Sequence, residues 1–206
     1  MEPFLHGLIL AFGLILPLGV QNIFIFTQGA IQKPFIKALP AVVTAGVCDT
    51  LLISLAVTGV SLLVLGFDVL RNLLYVVGFF FLLYMGWTMW KSKINVPNQN
   101  TTVRFSAKRQ IVFAASVSLL NPHAILDTIG VIGTSSLSYI DFEKWVFTIT
   151  CIVVSWLWFF GLAILGRQVG KVDVNGQLLG RINKISAIVI WGMALYFAYT
   201  FLVTIN

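Results

Sequence analysis

The chain has 206 residues, of which 59% are hydrophobic and only 10% charged, with a mean hydropathy of +0.97 and a formal net charge of +6. Soluble domains carry roughly 25% charged residues, so this composition excludes an ordinary water-soluble domain and points to an integral membrane protein. The basic excess would suit a nucleic-acid partner only if its placement did not already follow membrane topology, and it does follow it.

A bilayer-spanning helix needs about 17–25 apolar residues, and six stretches qualify. In chain order they are 4–26, 39–65, 72–90, 111–133, 145–166 and 185–205. Their near-continuous apolarity fits helices and not the alternating strands of a barrel. The expected fold is therefore an all-α membrane protein of six transmembrane helices, in one membrane domain. A polar run over 91–110, containing Pro97, is the longest linker. It separates a first part at 1–92 from a second at 109–206, with 93–108 as the connecting segment. Met1-Glu2 provides no basic leader, so the first stretch reads as a retained helix.

Eleven of the thirteen basic residues fall in three loops. These are Lys33 and Lys37 in 27–38, Lys91, Lys93, Arg104, Lys108 and Arg109 in 91–110, and Arg167, Lys171, Arg181 and Lys184 in 167–184. Arg71 and Lys144 are the remaining two. By the positive-inside rule those loops are cytoplasmic, and both termini lie outside if the first stretch crosses fully. A re-entrant first stretch, turned back at Pro17-Leu18-Gly19, would leave the N-terminus cytoplasmic instead. Cys48 and Cys151 sit inside expected spans and read as free thiols. Two histidines, His6 and His123, with no paired-cysteine motif form no recognisable zinc or haem set, so no cofactor is expected.

Sliding the sequence by 105 positions superposes Pro17 on Pro122 and Asn22 on Asp127. The first and fourth stretches thus share a central Pro followed five residues later by a polar group. Each half holds an odd number of spans, so the second enters from the opposite side and the two three-helix repeats are inverted. Secondary transporters use this arrangement, with broken helices meeting near the midplane at the substrate site. Pro removes a backbone donor, freeing carbonyls near Gly13 and Ser118. Gln21 and Asn22 follow the first break, at Pro17 and Gly19. Asn121, His123 and Asp127 surround the second, with His123 and Asp127 four apart on one helical face.

Asp49 and Asp127 lie deep in stretches that contain no Lys or Arg. An acid at that depth costs roughly 2.5–3.5 kcal/mol even on lenient insertion scales and marks a pathway by default. A carboxyl away from water holds its proton more tightly, and an arriving cation loosens it, so such a group can trade a proton for a cationic substrate. His123 is a second candidate proton carrier. The structural alternative has Asp49 bonded to Thr44 or backbone, Asp127 paired with His123, and Gln21, Asn22 and Asn121 joining helices. Trp156 and Trp158 sit deep enough to line a pathway, where a π face would suit a cation, although core or lipid packing is the better explanation for each.

The strings Pro17-Leu18-Gly19-Val20-Gln21-Asn22 and Asn121-Pro122-His123-Ala124-Ile125-Leu126-Asp127 resemble the two signature motifs of the LysE family of bacterial basic amino acid exporters. Trp158-Phe159-Phe160-Gly161 is similar to that family's fifth helix, and the likeness covers essentially the whole chain. Val20 stands where the lysine and arginine exporter branch usually has Pro, and Cys48 where it usually has Ser. The resemblance implies a secondary exporter of arginine and/or lysine in the bacterial cytoplasmic membrane, exchanging substrate for protons. Asp49, Asp127, Gln21, Asn22 and Asn121 would bind substrate, and Asp49, Asp127 and His123 would couple protons. Small residues such as Gly78, Gly86, Gly161 and Gly166 would also permit a homodimer. Another amino acid or a divalent metal cation is the alternative cargo, although a metal would want more hard oxygen or imidazole ligands. An intramembrane hydrolase built on Ser116 or Ser118 lacks any nucleophile-elbow motif.

Overall fold

A computed structural model describes residues 1–16, 19–59, 105–120, 124–125 and 128–172, with single helical positions between 76 and 91 and between 181 and 199. Every regular element among the described residues is helical. The first is α1, Glu2–Ile15, which carries Pro3 in its opening turn, where a missing N–H is harmless, and Glu2 at the positive end of the helix dipole. After Leu16 and Gly19 the chain re-enters a helix as α2, Val20–Ile31. The two axes meet at 80°. At about 1.5 Å per residue they measure about 21 and 18 Å, so neither alone crosses a hydrocarbon core of about 30 Å.

A short 3₁₀ turn, Phe35–Ala38, leads into α3, Leu39–Val57. The sequence predicts this helix to reach residue 65, but it stops at Val57. Thr58 Oγ1 donates to the carbonyls of Ser54 and Leu55, and Gly59 takes φ +91°, the left-handed conformation that closes a helix C-terminus. Next comes α4, Ala107–Leu119, whose N-cap Ser106 accepts from the Arg109 backbone N–H at 3.3 Å. The stretch over 111–133, expected to be broken at Pro122, holds several elements among its described residues. Helix α4 ends at Leu119, and a π-helical run, Thr128–Gly133, and a 3₁₀ turn, Ser136–Ser138, follow later.

The last described helix, α5, spans Asp141–Val172 and its 32 residues rise about 48 Å. It exceeds the expected 145–166 at both ends because polar turns extend it past the bilayer. Asp141 and Glu143 sit at its positive end and Lys171 at its negative one. The stretches 72–90 and 185–205 are described only at single positions, among them Trp90 and Trp191, whose rings lie 5.6 Å apart.

Helix α5 is the axis against which the others are placed. Helix α1 packs on its first half, where a Cβ on Gly7 would stand 3.0 Å from the Phe147 carbonyl and the Cys151 thiol points to the Gly7 carbonyl at 3.7 Å. His6 Nδ1 bonds the Tyr139 hydroxyl at 2.8 Å just before α5 begins. Helix α2 packs on the second half, and there the backbones themselves touch. A Cβ on Gly29 would overlap the Ala163 carbonyl, and one on Gly166 would overlap the Phe26 carbonyl. Thus α1 and α2 together follow α5 from one end to the other in the same direction, and the 80° bend interrupts a traverse without reversing it.

Helix α3 runs the other way. Its Ala41, Val42 and Ala45 share an apolar core with α2, α4 and the Phe159–Ala163 part of α5, while Ile53 and Val57 join Ala11, Ile132, Phe147 and Val154 in a second core. The seam between these two cores falls at the middle of α3. Cys48 and Cys151 are both buried free thiols.

Candidate functional site

Asp49 occupies that seam. It is half-buried, and its carboxylate accepts two hydrogen bonds, from Gln21 Nε2 to Oδ1 at 3.3 Å and from Ser155 Oγ to Oδ2 at 2.6 Å. The second length falls in the range of charge-assisted O–H···O⁻ bonds. Both donors are neutral, and among the described residues no Lys or Arg is paired with this acid. A carboxylate offers about four acceptor directions, so the described residues use roughly half of its capacity.

Three elements converge to build this arrangement. Gln21 lies in the first turn of α2, immediately after the break, and is buried at 8% exposure. Gly19 caps that helix in an extended conformation without a side-chain cap hydrogen bond. The result is the positive end of a half-helix placed at mid-depth beside an acid. Asn22, one residue on, faces back across the break and donates to the Ile15 carbonyl at 2.8 Å. It thereby pairs one of the carbonyls that α1 leaves open at its end.

The register of α5 against α3 is fixed one residue from the site. Trp156 Nε1 donates to Thr50 Oγ1 at 3.0 Å, and Thr50 in turn donates to the Gly46 carbonyl at 2.7 Å. A Cβ on Gly46 would stand 2.7 Å from the Trp156 ring, so only glycine lets the indole lie flat on α3. This wedge sets Ser155 opposite Asp49. Trp156 is therefore a positioning residue.

Against the sequence-based expectations, the structure brings Gln21 and Asp49 together, with Gly19 at the intervening cap. Asn22 bonds backbone across the break. Thr44, weighed as a partner for Asp49, instead donates to its own Pro40 carbonyl at 2.7 Å and turns away. Pro17, Asn121, Pro122, His123 and Asp127 lie outside the described residues. Ser118 Oγ is committed to the Ala114 carbonyl at 2.9 Å.

Ser155 was not foreseen. Its signal was present, since it stands at the midpoint of the apolar stretch 145–166, and the five residues on either side are all Val, Ile, Leu, Cys, Trp or Phe save Thr150. A small hydroxyl is a weak cue beside two carboxylates.

A second polar group closes the other end of α2. Gln28, Gln32 and Gln110 are all buried. Gln32 Nε2 donates to Gln28 Oε1 and to the Phe105 carbonyl, both at 3.1 Å, and Gln110 Nε2 donates to the Lys37 and Phe105 carbonyls at 2.9 and 3.0 Å. These bonds join α2, the turn before α3 and the start of α4 into one buried polar cluster, a glutamine plug between these elements.

Residues 12–200 match the family model described as LysE type translocator. A Bacillus subtilis (strain 168) protein named "Putative amino-acid transporter YisU" is 58% identical over 197 residues, covering 96% of this chain and 89% of the relative. Arginine exporter proteins ArgO of Pectobacterium atrosepticum and Serratia proteamaculans are each 32% identical, over 198 and 203 residues, covering 95% of this chain and 96% of each relative. No solved structure matches the chain significantly.

Proposed function

The chain belongs to the LysE type translocator family, and we propose that it exports arginine and/or lysine across the cytoplasmic membrane in exchange for protons. The observation that carries this reading is the Asp49 carboxylate, held at the midpoint of a spanning helix by two neutral donors. The relatives named as arginine exporters support the choice of a cationic amino acid.

Arginine and lysine carry two cationic groups and one carboxylate. Asp49 and Asp127 receive the cationic groups, with Gln21, Asn22 and Asn121 completing the polar shell. The substrate carboxylate meets the half-helix N-terminus that follows a break, where backbone donors favour an anion. Moving one positive charge outward against the membrane potential costs about 2.3 kcal/mol per 100 mV, so export needs a coupled force. Proton entry supplies it. Asp49 and Asp127 release protons as the cation arrives and regain them when it leaves, with His123 as a relay.

In this reading the six spans form two inverted three-helix repeats, broken at Pro17 and Pro122, and one repeat rocks against the other around the site. The parallel course of α1–α2 and α5 supports an N-terminus on the outer side, opposite the basic loops. The glutamine plug at the basic end then closes the cytoplasmic face and must open for loading.

The test is efflux of radiolabelled arginine and lysine from loaded proteoliposomes. An acidic exterior is expected to accelerate release, and a protonophore to remove the acceleration. Release no faster than from protein-free vesicles, for both substrates and under either gradient, would defeat the reading.

A further inference from the structure

The basic residues at the end of the bundle where α2 and α5 finish are more than a topological mark. Lys37, Lys108, Arg109, Arg167 and Lys171 are all exposed, and among the described residues none of them is paired with a carboxylate. Their surroundings are shared. Gln110 ties the Lys37 carbonyl to the start of α4 at 2.9 Å, which anchors the Lys37 backbone to the helical turn that carries Arg109. The Arg109 guanidinium lies over the Phe105 ring at 4.3 Å, and that of Arg167 over the Phe35 ring at 5.3 Å. Both cations are thus held in place by rings that themselves pack on the apolar core.

Their height follows from their neighbours. Directly beyond Arg109 come Ile111 and Val112, at 46% and 58% exposure, and directly before Arg167 come Ile164 and Leu165, at 48% and 58%. Those aliphatic side chains need acyl chains around them. Arg109 and Arg167 stand two to three residues further along their helices, about 3–5 Å, which is the level of lipid headgroups. Ile36, at 67% exposure, projects from the same rim between Phe35 and Lys37. Soluble partners would not require this interleaving of cations with bilayer-facing aliphatic residues.

We infer that Arg109, Arg167 and Lys37, braced by Phe105 and Phe35, form a binding surface for the anionic headgroups of phospholipids in the adjacent leaflet. The surface also bears on the gate. Phe105 and Lys37 supply the carbonyls that close the glutamine plug, so headgroups held here lie against the segments that must move when the plug opens.

The inference does not depend on what is transported, and its test is lipid association. The full chain is reconstituted in phosphatidylcholine vesicles containing a trace of spin-labelled phosphatidylglycerol or spin-labelled phosphatidylcholine, and the motionally restricted fraction is measured by electron paramagnetic resonance. The expected result is a relative association constant for phosphatidylglycerol of about three or more at low salt, falling toward one in molar salt. Arg109→Gln with Arg167→Gln should remove the preference, whereas Arg109→Lys with Arg167→Lys should keep most of it. Thermal melting of each variant in detergent checks that the fold is retained. Equal association of both lipids with the unmodified protein, or a preference unchanged in a folded Gln variant, would overturn the proposal.

Discussion

Replacing Asp49 by Asn is expected to reduce arginine flux at least about tenfold, and up to about a hundredfold, while leaving the protein folded. The range corresponds to the roughly 1.5–3 kcal/mol carried by a hydrogen bond to a charged partner. Asn keeps the shape of the side chain and an oxygen for Ser155 to reach, but it lacks the anion that a cationic substrate requires. Folding has reason to improve. Asp49 is partly withdrawn from water with no cationic partner among the described residues, and removing such a charge is often neutral or stabilising. Ser155→Ala should act in the same direction but more weakly, since it deletes one donor and leaves the charge, giving a loss of about threefold to tenfold. Flux assays on proteoliposomes, read beside thermal melting of the same preparations, separate the two effects. Unchanged flux through Asp49→Asn would return this acid to a structural role.

Gly166→Val is expected to do the opposite, abolishing the folded protein whatever the substrate. Helices α2 and α5 approach so closely here that a Cβ on Gly166 would overlap the Phe26 carbonyl, and Gly29 meets Ala163 in the same way one turn on. Backbone cannot rotate aside as a side chain can. The helices must separate, and the packing lost over that contact costs about 3 kcal/mol or more. Gly161 is the control, because a Cβ there meets nothing within 4 Å. Gly161→Ala should therefore shift stability by no more than about 0.5 kcal/mol, the usual size of a surface change. Melting temperature and yield in mild detergent report both variants, and similar behaviour of the two would contradict the close approach of α2 and α5.

Much of this organisation could be read from residue types alone. Apolar stretches of spanning length gave the helical membrane class, and the Pro17-Leu18-Gly19 string marked the place where α1 gives way to α2. Gln21 and Asp49 were both picked out as polar groups too deep to be idle, and the structure joins them directly. Less visible were features set by tertiary contact. Hydropathy carries α3 on to residue 65, since it does not register that Thr58 and Gly59 can close a helix among apolar neighbours. It stops α5 at residue 166, because the turns that project beyond the bilayer are polar and are stabilised by end charges. Ser155 escaped notice for a related reason, as its role arises only when the Trp156 wedge against Gly46 turns it toward Asp49.

The similarity to arginine exporters and the geometry at Asp49 bear on different properties of the protein. Similarity fixes the family, and the carboxylate with its two neutral donors explains how a member of it would hold a cation at mid-depth. The proposed mechanism joins them through exchange of a proton for that cation at one place. Proton release on substrate binding tests this most directly. Purified protein in weakly buffered detergent solution is titrated with arginine, and pH is followed with an indicator dye. Protons should be released in proportion to the arginine bound, and the release should fall sharply in Asp49→Asn. Saturable arginine binding with no proton release, or release undiminished in that variant, would contradict the mechanism at its centre.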